Sequence, residues 1–329
     1  MGYVVYGAGA IGGVVGGRLF QAGLDVTLIA RGRHLDALRA QGLRIESPAG
    51  SATVRIPAVG HPGEIDWSDG SVVLMAVKSQ QTAAALAELA IAAPVTTPII
   101  CLQNGIANEP AALRIFPNVH AVCVMCPAGH LEPGVVQAWS TPTSGMLDIG
   151  RFPGGSDRTS HLVARDIAAA TFSSMGVEDI RRWKHRKLLT NLGNVVEAVC
   201  GPDQRGSPLV GVLVSEGDAA LVAAGLDVAT GDEDRRRRGD LLRLGEIAGR
   251  ARQGGSSWQS VARATGDIET DYLNGEIVRL GRMHGVPTPA NQLVQILARE
   301  LVSSGREPAR VSAASILDQL AAEPAQAHP

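Results

Sequence analysis

Short apolar blocks recur through the first half of the chain, each the length of a strand and each followed by residues with helical spacing. Tyr3-Val4-Val5-Tyr6 is the first, and Val14, Val15, Leu19 and Phe20 then recur as one face of a helix would. Gly23 closes that helix, and Val26-Thr27-Leu28-Ile29 reads as the second strand. Ser71 to Val77, Pro98 to Leu102 and Ala121 to Met125 are uninterrupted apolar runs, the pattern of strands covered on both faces. This alternation predicts an α/β fold built on a doubly wound parallel sheet. Gly134-Val135-Val136 and Gly145 to Gly150 are expected to close the sheet as a pair of strands, and Pro153-Gly154-Gly155 to turn at the surface.

His161 to Ser174 suits one more helix on the sheet, and from about residue 160 the helical pattern continues to the end. A boundary near Val177 to Ile180 therefore divides residues 1–178 from an all-helical domain, residues 179–329. The polar, proline-bearing tail from about residue 321 is expected to be disordered.

The turn between the first strand and its helix carries Gly7-Ala8-Gly9-Ala10-Ile11-Gly12. In a strand-to-helix turn of this kind the first glycine makes the tight bend, the second lets backbone approach a pyrophosphate and the third lets helix and strand pack closely. The free N–H groups of the helix N-terminus then face the phosphates. A dinucleotide site is the reading that this context supports, with Gly7, Ala8, Gly9, Ala10, Ile11 and Gly12 against the cofactor. An NAD-type site has an acid at the end of the second strand, about 20 residues on, to accept from the ribose 2′-hydroxyl. Here that strand runs into Ala30-Arg31-Gly32-Arg33, and a guanidinium fork suits a phosphate. NADPH (or NADP) is therefore the expected cofactor, with Arg31 better placed than Arg33 to hold the 2′-phosphate. Both arginines are also compatible with ordinary solvated loop charges.

At 329 residues the chain has room for two domains, and 45% hydrophobic residues with only 3% aromatics require a core of Ala, Val, Leu and Ile. A formal net charge of −2 gathers neither nucleic acid nor an anionic membrane. No apolar run approaches the roughly 20 residues of a membrane span, and no signal-like segment opens the chain, so a cytoplasmic protein is expected. Cys123 and Cys126 form a C-x-x-C, yet lie in an apolar run with no second ligand pair, which favours buried inert thiols over a redox or metal site. Asp232-Glu233-Asp234 followed by Arg235 to Arg238 describes a solvated helix start with acids matched to the dipole.

Polar residues that follow the apolar runs fall at the carboxyl edge of the sheet, where ligands bind: Lys78, Gln103 and Asn104. In the second half, Lys187, Asn191 and Asn194 recur at i, i+4 and i+7 on a helix otherwise apolar. That stripe faces either water or a lined cavity, and amides, poor helix formers, are unusual on a plain surface stripe. Carbonyl reduction would use such a cavity: an alkoxide forming on a ketone needs a nearby positive charge and a proton, which a lysine supplies, while asparagines orient hydroxyl and carboxylate groups.

These residues resemble the ketopantoate reductases (2-dehydropantoate 2-reductases) over nearly the whole chain. The matching motifs are Gly7 to Gly13, Val77-Lys78, Leu102-Gln103-Asn104-Gly105, Glu132-Pro133-Gly134-Val135-Val136, Arg186-Lys187-Leu188 with Asn191, Ser256-Ser257, and Glu269 through Asp271-Tyr272-Leu273-Asn274-Gly275. The resemblance implies a Rossmann domain followed by a helical domain similar to that of 6-phosphogluconate dehydrogenase, and reduction of ketopantoate to pantoate in pantothenate biosynthesis. It also implies roles. Lys187 falls on the proton donor, Asn191 on a substrate-binding asparagine, and Lys78 and Asn104 on residues near the nicotinamide, Asn104 also touching substrate. Ser257 falls on a serine that binds the substrate carboxylate, although alone it reads as a helix N-cap. Glu269 falls on a glutamate that holds cofactor and helps organise the lysine, although alone it reads as a surface acid. No metal is implied, the substrate is a small 2-oxo acid, and a homodimer is compatible with the family.

The chain departs from the family at two points. The family's second asparagine lies where this chain has Val195, and Asn194 is one residue early, a rotation of about 100°. Asn194 substitutes only if the helix is locally altered there. The stretch from Glu197 to Asp203 also lacks the usual Asn-Pro-Leu continuation. Two alternatives follow: an NADPH-dependent reductase of another 2-oxo acid or ketone, and a non-catalytic NADPH-binding regulatory protein.

Overall fold

The computed structural model describes every residue except 68, 69, 253, 256–267, 305–310 and 323–329. The chain divides into two compact units, Met1–Lys184 with Ala229–Arg252, and His185–Val228 with Gln253–Pro329.

In the first unit β1 (Gly2–Tyr6), α1 (Ala10–Gln21), β2 (Asp25–Ile29) and α2 (Gly32–Gln41) lead into a hairpin of β3 (Leu43–Ser47) and β4 (Gly50–Val54). Then come β5 (Ala58–Val59), β6 (Ser71–Met75), α3 (Thr82–Ala92), β7 (Ile99–Cys101), α4 (Asn108–Leu113) and β8 (Val119–Met125). The short β9 (Ala128–Gly129), β10 (Val135–Ala138) and β11 (Ser140–Pro142) precede β12 (Met146–Arg151) and α5 (Arg158–Ala169). Seven strands form the main sheet in the order β12-β8-β7-β6-β1-β2-β5, all parallel to their neighbours except β12. The order reverses at β1, which has β2 on one side and β6 on the other, so the crevice for a ligand opens at its carboxyl end.

Burial explains the apolar runs. Tyr3 and Val5 face a layer with Val14, Val15 and Leu19 of α1, while Val4 and Tyr6 face Leu86 and Leu89 of α3. Both faces of β1 are thus covered, which an all-apolar strand requires.

The expected closing pair is corrected. Strands do form there, at Val135–Ala138 and Met146–Arg151, but not with each other: β12 runs antiparallel to β8, while β10 joins a separate sheet in the order β4-β3-β10-β9. The second half is also not purely helical. After the helix Gly231–Arg238, β13 (Leu242–Leu244) pairs antiparallel with β11, and the Arg237 guanidinium grips the buried Asp148 carboxylate of β12 through two bonds of 2.8 and 2.6 Å. That ion pair and the strand pairing are why residues 229–252 belong to the first unit. The helix start at 230–238 is otherwise as expected: Thr230 and Glu233 form a capping box, and Asp234 pairs with Arg238 one turn on.

α6 (Ile180–Asn191) begins in the first unit and ends in the second, whose other elements include α7 (Asn194–Cys200), α8 (Pro208–Ala223) and the helices Asn274–His284, Pro289–Ser303 and Ala313–Ala322. The last of these takes in Ala321 and Ala322; the rest of the expected tail lies outside the described residues. Leu188, Leu192, Val196, Leu213, Leu221, Ile277 and Val294 are fully buried in this unit. No helix among the described residues is long and apolar enough to cross a membrane.

Candidate active site

The glycine turn has the geometry its spacing requires. Gly7 has φ +101°, and a Cβ there would meet the Val77 backbone nitrogen at 2.7 Å, so the bend is closed to other residues. A Cβ on Gly12 would be driven into the Gly7 carbonyl oxygen and lie 2.9 Å from the Ala76 Cβ. At Gly9, the N-cap of α1, a Cβ would meet nothing within 4 Å. Open space over the N-terminus of a helix, bounded by two crowded glycines, fits a pyrophosphate. The Ala8 carbonyl is braced by His34, whose Nδ1 accepts from the Gly134 N–H at 2.9 Å and whose Nε2 donates to Ala8 at 2.8 Å. That fixes a neutral tautomer, and burial lowers the His34 pKa in the same sense.

Arg31, two residues past the end of β2, is the N-cap of α2 and largely exposed. Its Nη2 donates to both oxygens of Glu88 on α3, at 2.6 and 2.7 Å. Glu88 was not singled out by the sequence because α3 reads as an apolar helix, and only the fold brings it to the end of β2.

Lys78 and Asn104 are half-buried in the loops after β6 and β7. A buried polar network ties these loops together: Gln103 donates to the Val77 carbonyl at 2.7 Å and to Thr82 at 2.8 Å, Thr82 donates to Asn108, and Asn108 donates to Ser79 and to the Asn104 carbonyl, both at 3.2 Å. Beneath it the Lys184 ammonium donates to the Gln103 carbonyl at 2.9 Å and to the Glu109 carboxylate, with both side chains almost fully buried. A buried charge needs a partner, and this pair anchors the Asn104 loop to the start of α6. Sequence reasoning missed Asn108, Glu109 and Lys184. Their polarity within apolar surroundings was the available signal.

In the second unit the expected helix is broken. α6 ends at Asn191 and α7 begins at Asn194, with a turn at Leu192 and Gly193 where the Leu192 N–H bonds back to Leu189 and the Val196 N–H to Gly193, each three residues earlier. The Leu192 carbonyl accepts instead from the Asn274 amide at 3.2 Å. Asn274 also donates to Asn291, and Asn291 to Glu216, whose carboxylate accepts from the backbone N–H groups of Ala290 and Asn291. Lys187 is half-buried, Asn191 is buried, Asn194 is half-buried, and Val195 is buried with the core. The condition for Asn194 to stand in for an asparagine at 195, a local change of helix, is therefore present. Three residues on, buried Glu197 accepts from the Gly255 N–H at 2.5 Å and pairs with Arg205 at 2.8 Å. Glu269 opens a short 3-10 turn before the helix at Asn274. Ser257 lies outside the described residues.

The Cys123 and Cys126 thiols donate to the backbone carbonyls of Trp183 and Ser144, and burial pushes the Cys126 thiol up to about 12. At that value it is a neutral thiol and a poor nucleophile. Among the described residues no group of His, Cys, Asp and Glu could hold a metal.

Known proteins with this organisation were found by sequence and by structure. The chain is 28% identical to the 2-dehydropantoate 2-reductase of Pyrococcus horikoshii over 92% of its own length and 97% of that protein's. It is 28% identical to the enzyme of that name from Halobacterium salinarum over 90% and 97%. A crystal structure of a PanE/ApbA family ketopantoate reductase from Ralstonia eutropha superposes with a TM-score of 0.78 at 28% identity, covering 93% of this chain and 99% of that one. A D-mandelate dehydrogenase solved with NADH and anilino(oxo)acetate gives the same TM-score at 22% identity, covering 93% and 99%, which speaks for the fold alone. The family model described as ketopantoate reductase PanE/ApbA matches residues 3–154 and its C-terminal counterpart matches 179–302, so the chain belongs to the ketopantoate reductase family.

Proposed function

We propose that this member of the family is an NADPH-dependent oxidoreductase that reduces ketopantoate to pantoate, with Lys187 as the proton donor. The observation that carries the reading is the break at Leu192–Gly193, which leaves Asn194 partly accessible in the stretch that follows Lys187 and Asn191 and sends Val195 into the core. The names of the relatives at 28% identity support the substrate, and a step toward pantothenate is the reading that goes with it.

Gly7 to Gly12 and the N-terminus of α1 would hold the pyrophosphate, Arg31 the 2′-phosphate, and Lys78 and Asn104 the nicotinamide end. A reduced nicotinamide supplies hydride when bound. The chain's own residues do the rest. The Lys187 ammonium would stabilise the negative charge that develops on the ketone oxygen and transfer a proton to it, becoming a neutral amine. Glu269 favours the charged lysine before the step and shares in holding the cofactor. Asn191, Asn194 and Asn104 fix the substrate's polar groups without competing for the proton, and Ser257 receives its carboxylate.

Two measurements test this. Ketopantoate should oxidise NADPH faster than a panel of other 2-oxo acids; no preference would remove it as substrate. Lys187→Ala should lower kcat by about 100-fold or more while leaving NADPH affinity nearly unchanged, and an unchanged kcat would remove the lysine from the mechanism. A second reading, reduction of a different 2-oxo acid, is favoured by Glu197, a buried carboxylate close to the asparagines of the substrate-side helix. The same panel separates the two.

A further inference from the structure

An NADH site is marked by an acid at the end of the second strand, and by sequence this chain has none. The fold supplies one from elsewhere. Tyr6 ends β1, Arg31 follows β2, and His61 follows β5, so three adjacent parallel strands deliver these side chains to one carboxyl edge. Glu88 reaches the same point from α3. Its carboxylate accepts from the Tyr6 hydroxyl and from Arg31 Nη2 at 2.6 and 2.7 Å, and His61 Nε2 stands 3.7 Å away. Arg31 Nη2 also donates to the Tyr6 hydroxyl at 3.2 Å. The carboxylate is therefore aimed by a phenol and a guanidinium rather than left to swing in solvent.

We propose that Glu88 sets the cofactor balance: it takes the place of the missing acid at the end of β2, so the chain binds NADH as well as NADPH. This rests on the reading that Arg31 holds the 2′-phosphate. A carboxylate already on Arg31 Nη2 removes one arm of the fork from a phosphate and repels its charge, which weakens NADPH. The same carboxylate can accept from the ribose 2′-hydroxyl of NADH, the role an acid on β2 has in other doubly wound sheets. The bond from Tyr6, foremost, and the Arg31 contacts hold Glu88 below the usual carboxylate range, so it stays an anion at neutral pH.

The test is direct binding of NADPH and of NADH, by calorimetry, to the wild-type protein, Glu88→Gln, Arg31→Ala and the double variant. Glutamine keeps an acceptor for Tyr6, and thermal unfolding of each apoprotein checks that it is folded. The wild-type protein should bind the two cofactors within about tenfold of each other, and Glu88→Gln should shift the ratio about tenfold toward NADPH. In the Arg31→Ala background the Glu88→Gln shift should shrink but persist, because the carboxylate's own contact with the 2′ group does not pass through Arg31. A wild-type preference for NADPH beyond about 100-fold overturns the proposal without any variant. A ratio that Glu88→Gln leaves unchanged, or moves toward NADH, overturns it too, while Arg31→Ala still weakens NADPH alone. If Arg31→Ala weakens both cofactors equally, the 2′-phosphate reading itself fails and this inference falls with it.

Discussion

Gly9 and Gly12 lie three residues apart on one turn, and replacing each by alanine should produce opposite failures. At Gly12 the added Cβ has no room: it meets the Gly7 carbonyl oxygen, the Ala76 Cβ at 2.9 Å and the Val5 Cγ1 at 3.0 Å. Overpacking of this kind costs about 1–3 kcal/mol or more, because helix α1 must move off the sheet. For a unit of this size each kcal/mol corresponds to roughly 2–4 °C in Tm, so Gly12→Ala should melt several degrees below the wild type. At Gly9 the Cβ meets nothing within 4 Å and the backbone is extended, so Gly9→Ala should leave the apoprotein's Tm within about 1–2 °C. Its methyl would instead stand where the pyrophosphate approaches the α1 N-terminus. Losing one charge-assisted hydrogen bond to the phosphate, about 1.5–3 kcal/mol, raises the NADPH Kd about 10- to 150-fold. Differential scanning calorimetry of the apoproteins and a fluorescence titration with NADPH measure both quantities. A Gly9→Ala protein that binds NADPH like the wild type would refute the assignment of the open space to the cofactor.

Further outcomes follow from the buried polar groups. Glu109→Gln leaves the Lys184 ammonium buried without its counter-charge and should lower stability by about 3–5 kcal/mol in urea unfolding, and Lys184→Met combined with Glu109→Gln should recover a large part of that loss. Asn274→Ala leaves the Leu192 carbonyl without its donor, should cost about 1–3 kcal/mol, and should raise KM for the 2-oxo acid more than it lowers kcat. His34 and His120 both have lowered pKa values, chiefly through burial, so the unfolded chain takes up more protons than the native one as pH falls below about 6.5. Stability should therefore be full above that pH and decline below it until pH passes the folded-state values. His34→Gln should flatten part of the decline, and an unchanged slope in pH-dependent unfolding would count against the brace on Ala8.

Much of the first unit was legible because its information is local. An apolar run flanked by glycines can only be a covered strand, and the turn Gly7 to Gly12 carries its spacing on its face. What was not legible depended on distant partners. Gly134 to Val136 reads as a strand in any fold, but its pairing with β3 depends on a hairpin at residues 43–54 whose exposed face lacks an apolar signal. Residues 229–252 look like helix and loop by composition, and their place in the first unit rests on Arg237 finding Asp148, 89 residues away. Glu88 and Lys184 were hidden for the same reason: a charge on a helix announces solvent until a partner is found.

The departure at Val195 coincides with an interruption of the helix between Asn191 and Asn194. In an unbroken helix Asn194 would stand about 100° from position 195, which the family fills with asparagine. Two features of this chain accompany the interruption. Gly193 has helical φ and ψ values, and its bare Cα admits Val210 of α8, whose Cγ1 would lie 3.1 Å from a Cβ there. A larger residue would push α8 away. The turn also frees the Leu192 carbonyl, which would be an orphan in the core without the Asn274 amide. Gly193 allows the break and Asn274 stabilises it. Gly193 and Asn274 therefore act on the same break, one by leaving room for α8 and the other by satisfying the carbonyl that the turn releases.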